Sequence, residues 1–121
     1  LPFRVIETDE VIIWLGKNAK SNDALLRESH KEDVWFHAKD VAGSHALIRM
    51  ANDKGMPEKG VIEAVAELAA YHSKLKGSSL VPVSFTKRKF VRKPKNAAPG
   101  LALVDKEEVI LVKPSNAILE S

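Results

Sequence analysis

Two short runs of alternating side chains, Val34 to Ala38 and Ala46 to Met50, constrain the fold more than any other feature of the chain. A repeat of two is the signature of a strand, and aromatic and β-branched residues favour one. The link between the runs, Lys39 to Gly43, has the length of a hairpin connection, and Gly43 is expected to supply any positive φ. Val34, Phe36 and Ala38 share a face with Ala46, Ile48 and Met50. Trp35, His37, His45, Leu47 and Arg49 fall on the other. If the aliphatic face enters a core, Trp35, His37, His45 and Arg49 crowd the opposite surface, which is the first place to look for function.

The neighbouring segments extend this sheet. Phe3 to Thr8 and Glu10 to Leu15 read as two short strands, the second an apolar run that puts Trp14 in the core. The polar loop Gly16 to Asp23 leads to a short helix at about 22–30, capped by Ser21 or Asn22. Pro57 suits a first helical position. Val61, Ile62, Val65, Ala66, Leu68, Ala69, His72 and Leu75 form a broad apolar face, so a long helix is expected over about 57–76, with Gly77 as its stop. His72, on that face, reads as a packing residue. Leu80 to Thr86 reads as a strand, with Pro82 placing it at an edge or a strand start. Leu101–Val104 and Glu108–Val112 look like a closing hairpin. The expectation is an α+β domain over residues 1–113, a mainly antiparallel sheet of about six to seven strands packed by both helices, with 114–121 as a C-terminal tail.

Charge is distributed unevenly. Residues 1–67 carry nine Lys/Arg and twelve Asp/Glu, whereas residues 68–104 carry eight Lys/Arg and no carboxylate. Ordinary surfaces mix signs, so a polyanion is the expected partner. Six of the eight cations lie between Lys87 and Lys95. There is no cysteine, which excludes disulfides and thiolate metal sites. No apolar run approaches the ~20 residues of a membrane span, and no signal-peptide pattern opens the chain. A cytoplasmic protein without a membrane partner is expected. Because the chain opens on Leu1 rather than Met, it is expected to be a piece of a longer one.

Several chemistries compete for these residues. His37, Asp40 and His45 offer imidazole and carboxylate to a metal or a hydrolytic centre, but their spacing matches no common metal motif. Ser44 and Ser73 lack a nucleophile-elbow context, and no phosphate-cradling Gly-rich loop is present. No metal, cofactor or catalysis is therefore expected. The Lys87–Lys95 run has a plain reading as an edge strand blunted by lysines. Phe90 within it, Lys74 and Lys76 upstream and the Trp35/His37 surface favour RNA instead, because aromatic and guanidinium planes stack on unpaired bases. Lys17, Asn18 and Lys20 either hold phosphate through loop amides or form an ordinary polar loop. On the RNA reading, Lys74, Lys87, Arg88, Lys89, Arg92, Lys93 and Lys95 meet phosphate. Trp35, His37, His45 and Arg49 face the RNA, while Asp33, Asp40, Gly43 and Ser44 orient the rings and the turn.

Gly16-Lys-Asn-Ala-Lys-Ser-Asn-Asp23 followed by Lys31-Glu-Asp-Val-Trp-Phe-His-Ala-Lys-Asp-Val-Ala-Gly-Ser-His45 resembles the NFACT-R domain. Ala69-Ala-Tyr-His-Ser-Lys74 and Lys89-Phe-Val-Arg-Lys-Pro-Lys-Asn-Ala-Ala-Pro-Gly100 are similar to its second half. The resemblance runs over about residues 3–113, with the family's Asp-Trp-His signature on Asp33, Trp35 and His37. It implies an RNA-binding module of a ribosome-associated quality control factor. Such factors recognise a large ribosomal subunit carrying stalled peptidyl-tRNA and promote C-terminal alanine tailing. The implied partners are tRNA, ribosomal RNA and the other domains of a longer NFACT protein. Older names of the family, as fibronectin- or fibrinogen-binding proteins, leave a protein-interaction or adhesin module as the alternative, with a metal-dependent hydrolase at His37, Asp40 and His45 behind it.

Overall fold

Period-two alternation becomes a six-stranded antiparallel sheet in the computed structural model, which describes residues 1–120. Its strands are β1 (Arg4–Glu7), β2 (Ile12–Leu15), β3 (Val34–Ala38), β4 (Ala46–Ile48), β5 (Val81–Lys87) and β8 (Glu108–Val112), in the order β1-β2-β4-β3-β5-β8. The expected β3–β4 hairpin forms with Val34 opposite Ile48, Trp35 opposite Leu47 and Phe36 opposite Ala46. Two further strands, β6 (Val91–Arg92) and β7 (Leu103–Val104), make a separate two-stranded ribbon.

One helix covers each face. α2 (Lys59–Tyr71) lays Val61, Val65, Leu68 and Ala69 over Ile13, Phe36, Ile48 and Val83, building the larger core. α1 (Ala19–Glu28) lays Ala24, Leu25 and Leu26 over Trp14, Trp35 and Leu47 on the opposite face. Val91 of the ribbon and Phe3 close this second core. Burial of each such side chain contributes roughly 1.5–3 kcal/mol, so both faces of the sheet are stabilised. The architecture is α+β, as expected.

Local chemistry moved several boundaries. α1 begins at Ala19 because Asn18, not Ser21 or Asn22, caps it: Asn18 Oδ1 accepts from Ser21 N at 2.8 Å, and Ser21 Oγ accepts from Asn18 N at 2.9 Å. α2 runs from 59 to 71 rather than 57 to 76, with Glu58 as its cap position and Pro57 outside it. It stops at Tyr71 because the following backbone pairs with the hairpin turn, Ser44 N donating to His72 O at 3.0 Å and Lys74 N to Ala42 O at 3.0 Å. Pro82 sits in a strand flanked on both sides. Its ring is tolerated because the side on which a donor is lost faces the end of β3, where its carbonyl accepts from Lys39 N. The closing hairpin does not form: β7 pairs with β6, while β8 pairs with β5. Residues beyond 113, expected as a tail, fold back. Ser115 N donates to Glu67 O at 3.1 Å, and Ile118 and Leu119 pack on the larger core. Of that segment only Ser121 lies outside the described residues.

Candidate nucleic-acid interface

The Trp35 side of the hairpin is not an open platform. Trp35 is 3% exposed and His45 2%, both packed beneath α1. The alternation of the hairpin puts this face outside the larger core, which alone does not make it a surface. Ala24, Leu25 and Leu26 cover it instead. His37, at the far end of β3, is partly exposed. Its ring stacks 5.9 Å from Trp35, and His45 presents its edge to both rings at 5.2 Å. Burial pulls His45 down to about 3, with His37 opposing its charge as well. Burial also lowers His37, against the raising effect of the Gly43 backbone.

Beside these rings lies a cleft of about 650 Å³. Four segments wall it: the start of α1, the hairpin turn Val41–His45, the end of α2 with His72 to Lys74, and the loop Pro99 to Ala102. Asn22 ties the first two together. Its Oδ1 accepts from His45 N at 3.0 Å, and its Nδ2 donates to Gly43 O at 3.3 Å. Gly43 ties in the third through a bridge to Ser73, where a Cβ on Gly43 would stand 2.9 Å from Ser73 Cβ. The left-handed residue of the turn is Asp40 (φ 58°), not Gly43, so close approach is what position 43 demands. The fourth wall is held by Asp23, whose Oδ1 accepts from Gly100 N at 3.0 Å and pairs with Lys93 Nζ at 3.1 Å. Asn22, His72 and the 99–102 loop were not singled out as site residues by the sequence reading. Nothing local in the sequence marks a side chain that bridges 21 residues.

The basic run divides into two sets. Lys87 is buried, and its ammonium donates to the carbonyls of Glu32 (2.9 Å), Asp53 (3.3 Å) and Gly55. Arg88 Nε donates to Leu26 O at 3.1 Å and Ser29 Oγ at 2.9 Å, satisfying the end of α1. Both are thus engaged within the fold. Lys89, Arg92, Lys93 and Lys95 form the outward set. Lys89 pairs with Glu32 at 3.1 Å and Arg92 with Asp105 at 2.8 Å, while Lys95 is exposed. Through Asp23 and Gly100 this set adjoins the cleft. Arg49 and Asp33 do not join the cleft. The Arg49 guanidinium lies 3.9 Å from the Trp14 ring centroid and 3.1 Å from the Asp33 carboxylate. Asp33, fully buried, also accepts from His30 N and Met50 N at 2.8 Å each, which fixes the base of the hairpin. Among the described residues no group of three His, Asp or Glu converges as a metal set, so His37, Asp40 and His45 do not make one.

The family described as NFACT protein RNA binding domain matches residues 2–103. Over 115 residues the chain is 40% identical to the Rqc2 homolog RqcH of Bacillus subtilis, a match covering 91% of the chain and 20% of that protein. It is 38% identical over 122 residues to the Rqc2 homolog RqcH of Streptococcus suis, covering 99% of the chain and 22% of that protein. It thus spans about a fifth of the length of these relatives. A solved structure, the C-terminal of the fibronectin/fibrinogen-binding protein from Streptococcus suis, superposes with a TM-score of 0.85 at 36% identity, covering 98% of this chain and 47% of that one.

Proposed function

The chain belongs to the NFACT RNA-binding domain family, and on that premise we propose that it is the RNA-gripping module of a ribosome quality control factor. Its targets on this reading are tRNA and large-subunit ribosomal RNA. The observation that carries it is the outward cation set, Lys89, Arg92, Lys93 and Lys95, which adjoins the cleft carrying Lys74. Arg92 offers a planar fork suited to a phosphate, and Lys95 is free of the hydrogen-bonded roles that occupy Lys87 and Arg88. His37 supplies a partly exposed ring at the mouth of the cleft, while Trp35, His45, Asp33 and Arg49 hold the frame. The module acts without catalysis of its own. Recognition of stalled peptidyl-tRNA and alanine tailing belong to the intact cytoplasmic protein, whose further domains are its partners.

The similarity to the RqcH proteins supports this reading over a fibronectin-binding module, because the outward cations suit phosphate better than a mixed protein surface. The double variant Arg92→Glu/Lys95→Glu changes exposed side chains only. It is expected to bind tRNA at least ~10-fold more weakly in a gel-shift titration at moderate salt. Unchanged affinity would remove the cation set from the interface.

A further inference from the structure

Among the described residues five buried side-chain polar atoms lack a hydrogen-bond partner: Glu32 Oε1, Trp35 Nε1, His45 Nδ1, Arg49 Nε and His72 Nε2. Two of them have charge partners, since Arg49 Nε lies 3.1 Å from Asp33 and Glu32 Oε1 lies 3.7 Å from Lys87 Nζ. The remaining three, on Trp35, His45 and His72, all belong to residues that line the one cleft beside the hairpin. Folded proteins rarely leave such groups unpaired, and three on one cavity call for a ligand that supplies donors and acceptors.

The charge of the cleft narrows the class of ligand. Lys17 and Lys74 line it, no carboxylate does, and neither lysine forms an ion pair among the described residues. The start of α1 brings Ala19 to the cleft wall, with an N–H group that a helix cannot satisfy from within. Anionic charge is therefore favoured at the mouth, and a planar ring with polar edges inside. The volume, about 650 Å³, falls within the roughly 300–1,000 Å³ of small-ligand sites.

We infer that this cleft receives one unpaired nucleotide of a bound RNA, its phosphate on Lys17, Lys74 and the start of α1 and its base edge on the ring nitrogens of Trp35, His45 and His72. The inference rests on the RNA-binding reading and extends it from a cation strip to a base-sized site. His37 stands at the mouth. It is a partly exposed ring of the lining that stacks on Trp35, so a base entering the cleft meets it beside the buried nitrogens. A duplex, whose bases are stacked and paired, cannot deliver such an edge, so the site selects loops, bulges and single strands.

The test is a titration of the isotope-labelled chain with AMP, CMP, GMP and UMP in turn, with inorganic phosphate and tRNA as separate arms, read by NMR. At least one nucleotide is expected to move the Trp35 indole N–H and the His45 and His72 ring signals together and saturably. The Trp14 indole, outside the cleft, stays still. Inorganic phosphate is expected to move the Lys17–Lys20 amides alone. Ala42→Trp, at an exposed position on the rim, is expected to abolish the ring shifts and to weaken single-stranded RNA about tenfold with duplex RNA unaffected. Silent rings with every nucleotide while tRNA still binds would overturn the inference and leave the RNA-binding reading standing. Absence of tRNA binding would remove both. Ring shifts with phosphate alone, ring shifts that survive Ala42→Trp, or displacement of the nucleotide by an acidic peptide at lower concentration would each count against a nucleotide as the occupant.

Discussion

His45 shows what a single residue contributes here. Its ring is buried among Trp35 and His37, and burial holds its pKa at about 3. In the unfolded chain an imidazole titrates near ~6.5. Between these values the unfolded state binds a proton that the folded state refuses, so stability rises with pH across the window. This contribution is full above the unfolded value and is lost as pH falls towards about 3. His37 and His72, both lowered by burial, act in the same direction. Each pH unit in the window is worth up to about 1.4 kcal/mol for one such group. His45→Phe keeps an aromatic edge against Trp35 and removes the titration. Urea midpoints measured from about pH 7 down to about pH 5 are expected to fall less steeply in this variant than in the parent chain. The carboxylates of Glu32 and Glu107, held low chiefly by hydrogen bonds from Lys89 and Lys39, are common to both proteins and cancel in the comparison. Parallel slopes would mean that His45 takes up its proton without unfolding.

Among the elements, α1 separates what the sequence makes legible from what it does not. The β3–β4 hairpin could be read from alternation because a period of two leaves a local trace. So could the existence of α2, whose apolar face repeats over three turns. That α1 roofs the Trp35 face was not legible, since three consecutive apolar residues, Ala24 to Leu26, do not say which surface they meet. The pairing of β7 with β6 rather than β8 was hidden for a related reason: sequence proximity favours hairpins, and only the finished sheet gives β8 its place beside β5. Asn22 turns the position of α1 into a measurable quantity. Asn22→Ala removes an acceptor from the buried His45 N–H and a donor from the Gly43 carbonyl. Each group left unpaired costs about 1–3 kcal/mol, so a loss of roughly 2–4 kcal/mol is expected in urea unfolding. Amide exchange is expected to accelerate at His45 and around the turn ahead of β1 and β2. A variant within about 0.5 kcal/mol of the parent would mean that this tie does not hold the cleft.

For the molecule as a whole, linear charge is a poor map of surface charge. The 37 residues from 68 to 104 hold eight cations and no acid, yet the fold brings Glu32, Asp105 and Asp23 to three of them, buries Lys87 and ties Arg88 to the end of α1. Four cations of the Lys87–Lys95 run remain to meet a polyanion, not six. Salt dependence separates the two counts, because each phosphate neutralised on a duplex steepens the log–log slope by about 0.9. Four contacts give a slope of about −3.6 and six would give about −5.4. The carboxylates already paired with Lys89, Arg92 and Lys93 compete with phosphate, so the slope on duplex RNA is expected to be no steeper than about −4. Lys95→Ala, which removes an exposed cation, is expected to reduce the slope by about 1. Lys87→Ala leaves the carbonyls of Glu32, Asp53 and Gly55 without their ammonium donor. It is expected to destabilise the fold by about 1–3 kcal/mol while leaving the slope of the folded protein unchanged. The reverse pattern, a slope that responds to Lys87 and ignores Lys95, would require β5 to peel from the sheet on binding. The RNA would then meet a rearranged strip rather than the surface that the folded chain presents.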